Sequence, residues 1–156
     1  MLNKIKDFNW VEKYRPRTLD DCVLSDDIKS AFRTIKETKE LPNCLFFGTA
    51  GTGKTTLAKA ICNDIQADVL FINASLERGI DVIRDTIRRF ASSTSIDGGR
   101  KVVILDEACQ LTRDSMDSLK SFMETYSSNC SFILTANHPN KLTDPLHSRL
   151  VPFEFN

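Results

Sequence analysis

The sequence predicts an α/β fold: three layers, α/β/α, around a five-stranded parallel sheet. Two observations carry this. Five short apolar runs, CLFFG, DVLFINAS, KVVILDEA, CSFILTAN and VPFEF, alternate with segments of helical periodicity. The runs are nearly continuous in apolar residues, which marks strands covered on both faces, and that is the condition of a parallel sheet flanked by helices. Such sheets gather ligands outside the carboxyl ends of their strands, and here those ends carry glycines, acids, threonines and an asparagine.

The elements follow in order. Residues 1–24 read as an irregular arm, because Pro16 restricts Arg15 and removes a backbone donor. Ser25 with acids behind it opens a helix running to about Lys39, with Ile28, Ala31, Phe32 and Ile35 on one face. LPN ends it. CLFFG is the first strand and KTTLAKAICNDI the helix after it. DVLFINAS is a strand and GIDVIRDTIRRFASS a helix with Ile80, Ile83 and Ile87 on one side. SIDGGR is a turn into the strand KVVILDEA, followed by the helix RDSMDSLKSFMETY. CSFILTAN is a strand, TDPLHSRL a short helix and VPFEF the last strand. Residues 25–156 thus form one α/β core.

Composition limits the partners. Lys+Arg and Asp+Glu are equal at 21, so any attraction to nucleic acid must come from a local patch. The five cysteines form no CxxC pair and read as reduced, buried small hydrophobes. No run approaches the ~20 apolar residues that span a bilayer, and the N-terminus lacks a secretory apolar core. The expectation is a soluble intracellular protein.

The chemistry begins at GTAGTGKTT, which fits GxxxxGK[ST] through Gly48, Gly53, Lys54 and Thr55. The glycines let backbone N–H groups turn toward an anion, and the helix opening near Lys54 adds its positive end. Lys54 then reaches β and γ phosphates, and Thr55 offers a hydroxyl to Mg²⁺. The competing reading is an ordinary Gly-rich turn, but the strand before and the helix after are the context a phosphate loop requires. Two elements later Asp106 and Glu107 end a strand. One acid there can hold Mg²⁺ through water while a second orients the attacking water, and alternation along a strand separates the two roles. A solvated strand end is the bland alternative. Thr135 and Asn137 end a further strand, where Asn137 can bond a water or a phosphate.

Taken together, WVEKYRP, GTAGTGKTT, INASLERGIDVIR, VVILDEA, LTANHP and LHSRL resemble the AAA+ ATPase subunits of sliding-clamp loaders: the small subunits of replication factor C and the large subunit of phage clamp loaders. The resemblance implies an AAA+, RecA-like P-loop fold that binds ATP with Mg²⁺ and hydrolyses ATP during DNA replication. It implies that Val11, Glu12, Lys13, Tyr14 and Val23 line the adenine pocket. Gly51, Thr52, Gly53, Lys54, Thr55 and Thr56 would hold the phosphates, Thr55 and Asp106 the metal. Glu107 would activate water, Asn137 would sense the γ-phosphate, and Arg149 would be an arginine finger acting on a neighbouring subunit. Arg78, Arg84 and Lys120 would touch DNA phosphates. The implied partners are sibling subunits in a pentameric hetero-oligomer, the sliding clamp and primer-template DNA, with no membrane. The place would be the cytoplasm, a phage host's cytoplasm, or a nucleus. The chain departs from the family at Cys109, in place of the last acid of DEAD, at Leu150, in place of the cysteine of SRC, and at Met116, where a glutamine is frequent. It also stops before the family's helical lid and collar. Two other readings stay open: a nucleotide-binding AAA+ module with little turnover, and a different AAA+ DNA motor such as a branch-migration helicase.

Overall fold

A computed structural model describes residues 16–22, 24–77 and 79–156. Helix α1 (Asp26–Thr38) starts after an extended Ser25, with Asp26 and Asp27 in its first turn, where acids suit the helix dipole. The Ser25 hydroxyl makes no capping hydrogen bond, so the start rests on backbone conformation and charge. At the other end Lys39 turns left-handed and its N–H bonds the Ile35 carbonyl at 2.7 Å. Strand β1 (Cys44–Gly48), α2 (Lys54–Asp64), β2 (Asp68–Asn73), α3 (Ile80–Ser92) and β3 (Lys101–Asp106) follow. A 3₁₀ turn over Ala108–Gln110 precedes α4 (Arg113–Thr125), whose cap Thr112 accepts from the Ser115 N–H at 3.2 Å. Then come β4 (Cys130–Ala136), α5 (Asp144–His147) and β5 (Val151–Phe155).

The five strands pair in parallel in the order β2-β3-β4-β1-β5. Alternation then sorts the side chains into two cores. Leu45, Val103, Leu105, Phe132 and Leu134 point to one face and bury Ile83 and Ile87 of α3, Leu119 of α4 and Leu146 of α5. Phe46, Val102, Ile104 and Ile133 point to the other and bury Phe32 and Ile35 of α1 with Leu57 and Ile61 of α2. This is the expected three-layer arrangement.

The order matters for the site. β1 lies beside β4 and β4 beside β3, so the ends of these three strands meet, although β2 and β3 intervene in sequence between β1 and β4. Lys101, a charged residue at the start of β3, is 2% exposed. Its ammonium donates to the Phe90 carbonyl at 2.8 Å and to the Ser93 hydroxyl, and lies over the Phe90 ring, tying down the end of α3. The expected strand through Glu107 is shorter than the sequence suggests: β3 stops at Asp106 and Glu107 is left-handed, with φ 54° and ψ 45°.

Candidate functional site: the phosphate loop and the ends of β3 and β4

The loop after β1 is shaped by what its backbone must approach. Gly48 pairs with Phe155 of β5, and a Cβ at Gly48 would lie 1.9 Å from the Phe155 carbonyl oxygen. Only glycine permits that contact. Gly53, at φ 88°, caps α2 in a left-handed conformation. Between them Thr52 Oγ1 donates to the Thr49 carbonyl at 2.8 Å. Lys54 folds back over this loop. Its ammonium donates to the carbonyls of Gly48 at 3.1 Å and Thr49 at 2.7 Å, and to Thr52 Oγ1 at 3.3 Å. Burial pushes the Lys54 pKa down, and the Asp106 carboxylate opposes the shift.

Across the cavity from the loop stand the ends of β3 and β4. Asp106 Oδ1 accepts two hydroxyls, Thr55 Oγ1 at 2.5 Å and Thr135 Oγ1 at 2.6 Å. One carboxylate therefore joins the first turn of α2 to β4. Thr135 Oγ1 also accepts the Glu107 N–H at 3.1 Å. The cavity between these groups holds about 260 Å³ and is lined by the loop from Ala50 to Thr56 together with Asp106, Glu107, Thr135, Ala136 and Asn137. Gly51, Thr52, Gly53, Lys54, Thr55, Thr56, Asp106, Glu107 and Asn137 thus come together as the sequence predicts. Thr135 has no role that its position at a strand end alone would assign. A hydroxyl inside the apolar run FILTA, two residues before Asn137 and so on the same face of the strand, is the signal that points to it.

The separation of the two acids has a different cause from strand alternation. Glu107 lies beyond the strand, and its left-handed backbone sets its direction. A non-glycine residue in this conformation costs about 1–2 kcal/mol and is held by its surroundings. Here the Thr135 bond to Glu107 N–H, and the Gln110 N–H bond to the Glu107 carbonyl at 3.0 Å, supply the restraint.

Other expected residues lie elsewhere. Arg149, just after α5, is not among the residues lining the cavity. Its Nη2 sits 2.5 Å from Glu124 Oε1 of α4, both side chains about half exposed. Arg84 of α3 donates to the Ser118 hydroxyl of α4 at 3.0 Å, in a shallow depression shared with Asp114 and Asp117. Lys120 is half-buried on α4. Met116 is buried in the core between α4 and the sheet, and Cys109 is half-buried against the same core. Val11, Glu12, Lys13, Tyr14, Val23 and Arg78 lie outside the described residues.

A P-loop at the end of a central parallel strand, facing an acid on the next strand but one, defines a nucleotide-binding α/β domain of the P-loop class. Residues 44–155 match the family model described as ATPase family associated with various cellular activities (AAA), and the chain belongs to that family. It is 42% identical to the replication factor C small subunit of Aeropyrum pernix over 99% of this chain and 49% of that protein. It is 44% identical to the replication factor C small subunit of Thermofilum pendens, over 94% of this chain and 47% of that one. It is also 44% identical to the sliding-clamp-loader large subunit of Enterobacteria phage T4, over 88% of this chain and 44% of that one. The chain therefore spans about half the length of the curated relatives it matches. Among solved structures, the Thermotoga maritima RuvB Holliday junction branch migration motor superposes with a TM-score of 0.75 at 23% identity, covering 92% of this chain and 49% of that one, a likeness of fold. Among the described residues no helix is long and apolar enough to cross a membrane.

Proposed function

We propose that the chain is the ATPase core of a clamp-loader subunit, and that it couples ATP binding and hydrolysis to loading a ring-shaped clamp onto primer-template DNA. The observation that carries the reading is the convergence on Asp106: the P-loop Thr55 and the β4 Thr135 both bond its carboxylate, with Glu107 and Asn137 beside it. The similarity to replication factor C small subunits and to a phage clamp-loader subunit supports the biological setting.

In this reading the N–H groups of Gly51 to Thr56 and the start of α2 hold the phosphates. The Lys54 ammonium leaves neutral carbonyls for charged phosphate oxygens, a stronger pairing. Mg²⁺ suits the donors present, since it takes oxygen ligands from one or two carboxylates plus substrate phosphates. Thr55 and Asp106 offer a hydroxyl and a carboxylate 2.5 Å apart, and would hold the metal to neutralise charge on the β and γ phosphates. Glu107 takes the proton of the attacking water, which approaches the γ-phosphorus in line with the leaving oxygen. Asn137 bonds the γ-phosphate or that water. Arg149 serves the site of a neighbouring sibling subunit, so hydrolysis depends on assembly. Arg78, Arg84 and Lys120 contact DNA phosphates, and such contacts position a duplex without reading its sequence. Residues 1–24, with Val11, Glu12, Lys13, Tyr14 and Val23, close the adenine side. The cavity of about 260 Å³ falls below the ~300–1,000 Å³ of pockets for drug-sized ligands, as suits a site for the phosphate end of a nucleotide.

A nucleotide-binding module of low turnover is the second reading, and the position of Arg149 away from this chain's own cavity favours it for the isolated chain. Both readings meet one experiment: ATP turnover and molecular mass by light scattering, with and without sibling subunits, clamp and primer-template DNA. Stimulated turnover in an oligomer is expected. A strict monomer with no stimulation under any condition overturns clamp loading in favour of the module.

A further inference from the structure

We infer that Thr135 is a positioning residue for the hydrolytic step: one hydroxyl sets the relative direction of the Asp106 and Glu107 carboxylates. The inference rests on reading this cavity as an ATP-hydrolysing site. Thr135 is 1% exposed, and a hydroxyl this deeply buried is satisfied by protein partners. It uses both of its capacities on consecutive residues of the neighbouring strand end. It donates to Asp106 Oδ1 at 2.6 Å and accepts from the Glu107 N–H at 3.1 Å.

The second bond has a particular consequence. Glu107 is one of three non-glycine residues with positive φ among the described residues, and of the three it alone lines the cavity. Its N–H would otherwise face the end of β4 without a partner. The Thr135 oxygen rewards the left-handed conformation and penalises any rotation of the 106–107 peptide that turns the N–H away. The first bond acts on the other acid. With Thr55 and Thr135 both on Oδ1, no protein donor among the described residues bonds Oδ2. Asp106 is therefore fixed by one oxygen and presents the other. A single side chain on β4 thus bonds both acids, and a valine of nearly the same shape would leave the Glu107 N–H without its partner and Asp106 held by Thr55 alone.

The test compares Thr135→Val and Thr135→Ser in the chain assembled with its clamp-loader siblings, using ATP as the probe. Thr135→Val should lower kcat about 10- to 100-fold, the scale of a misplaced catalytic group, and leave the Kd and KM for ATP within about threefold. Thr135→Ser keeps the hydroxyl and should restore kcat to within about threefold. Amide hydrogen exchange supplies a readout independent of turnover: the Glu107 amide should be protected in the parent chain and in Thr135→Ser, and exchange faster in Thr135→Val. An unchanged kcat in Thr135→Val, an equal loss in Thr135→Ser, or equal Glu107 protection in all three would overturn the inference. If the parent assembly fails to turn over ATP, or Glu107→Gln turns over as well as the parent, the reading of the cavity fails instead, and the amide readout still decides the role of Thr135.

Discussion

Replacing Gly48 by alanine should damage the fold and the site together, and the size of the damage follows from geometry. The added methyl would lie 1.9 Å from the Phe155 carbonyl oxygen and 2.9 Å from its carbonyl carbon. Neither is the end of a flexible side chain, so the last residues of β5 or the start of the loop must move. Phe155 is the register partner of Gly48 and is 4% exposed. Withdrawing its ring from the core costs roughly 1.5–3 kcal/mol. Alanine at φ +146° adds backbone strain of about 1–3 kcal/mol. Together about 2.5–6 kcal/mol is expected, a large part of the roughly 5–15 kcal/mol typical of a folded domain. At roughly 2–4 °C per kcal/mol for a chain of this size, the melting temperature should fall by about 5–24 °C. Gly98→Ala is the control. Gly98 has φ +68° but nothing within 4 Å of where its added methyl would sit, so strain alone acts, at about 1–2 kcal/mol. Thermal unfolding followed by circular dichroism measures both. Equal melting temperatures for the two variants would refute the argument that the Phe155 carbonyl dictates Gly48.

Other outcomes follow from the same structure. Burial pushes the thiols of Cys44 and Cys62 up to about 12 and that of Cys130 to about 11, so at pH 8 all three stay protonated. An Ellman titration of the native chain should therefore find Cys109 the fastest thiol and release the buried ones only on unfolding; rapid reaction of four or more native thiols would contradict this. A thiol pKa raised on folding means the native state holds the proton longer than the unfolded state, so these groups should lower stability as pH rises from about 9 to about 12, seen in urea midpoints across that range. Arg149→Ala should leave ATP binding by the variant chain unchanged and cut turnover of the assembly about 10³-fold or more. Loss of the variant's own ATP binding would argue against action on a neighbour. Glu124→Ala breaks a half-exposed ion pair worth about 0–1 kcal/mol, so its melting temperature should move by less than about 4 °C.

The layers, the five strands and the phosphate loop were legible because each has a local signature: an apolar run, a helical period, a fixed glycine and lysine spacing. Asp106 and Asn137 were legible as polar ends of apolar runs. What escaped depends on which strands are neighbours. The bond from Thr135 to Asp106 and Glu107 exists because β4 lies beside β3, and the strand order β2-β3-β4-β1-β5 is written in tertiary packing. The left-handed Glu107 escaped for the same reason, since nothing local favours a glutamate there and its restraint comes from another strand. A lysine at a strand start is ordinarily exposed, yet Lys101 is buried because its ammonium lies over the Phe90 ring and finds hydrogen-bond partners at the end of α3. Arg149 and Arg84 were legible as positions, while their partners Glu124 and Ser118 come from a separate helix.

The most direct test of the central claim is Glu107→Gln, measured for ATP affinity and for single-turnover hydrolysis with sibling subunits, clamp and primer-template DNA. The amide keeps the side-chain shape and removes its capacity to take a proton. ATP should bind with a Kd within about threefold of the parent, while stimulated hydrolysis falls about 10²- to 10⁴-fold. Stimulated hydrolysis that persists at the parent rate would contradict the account.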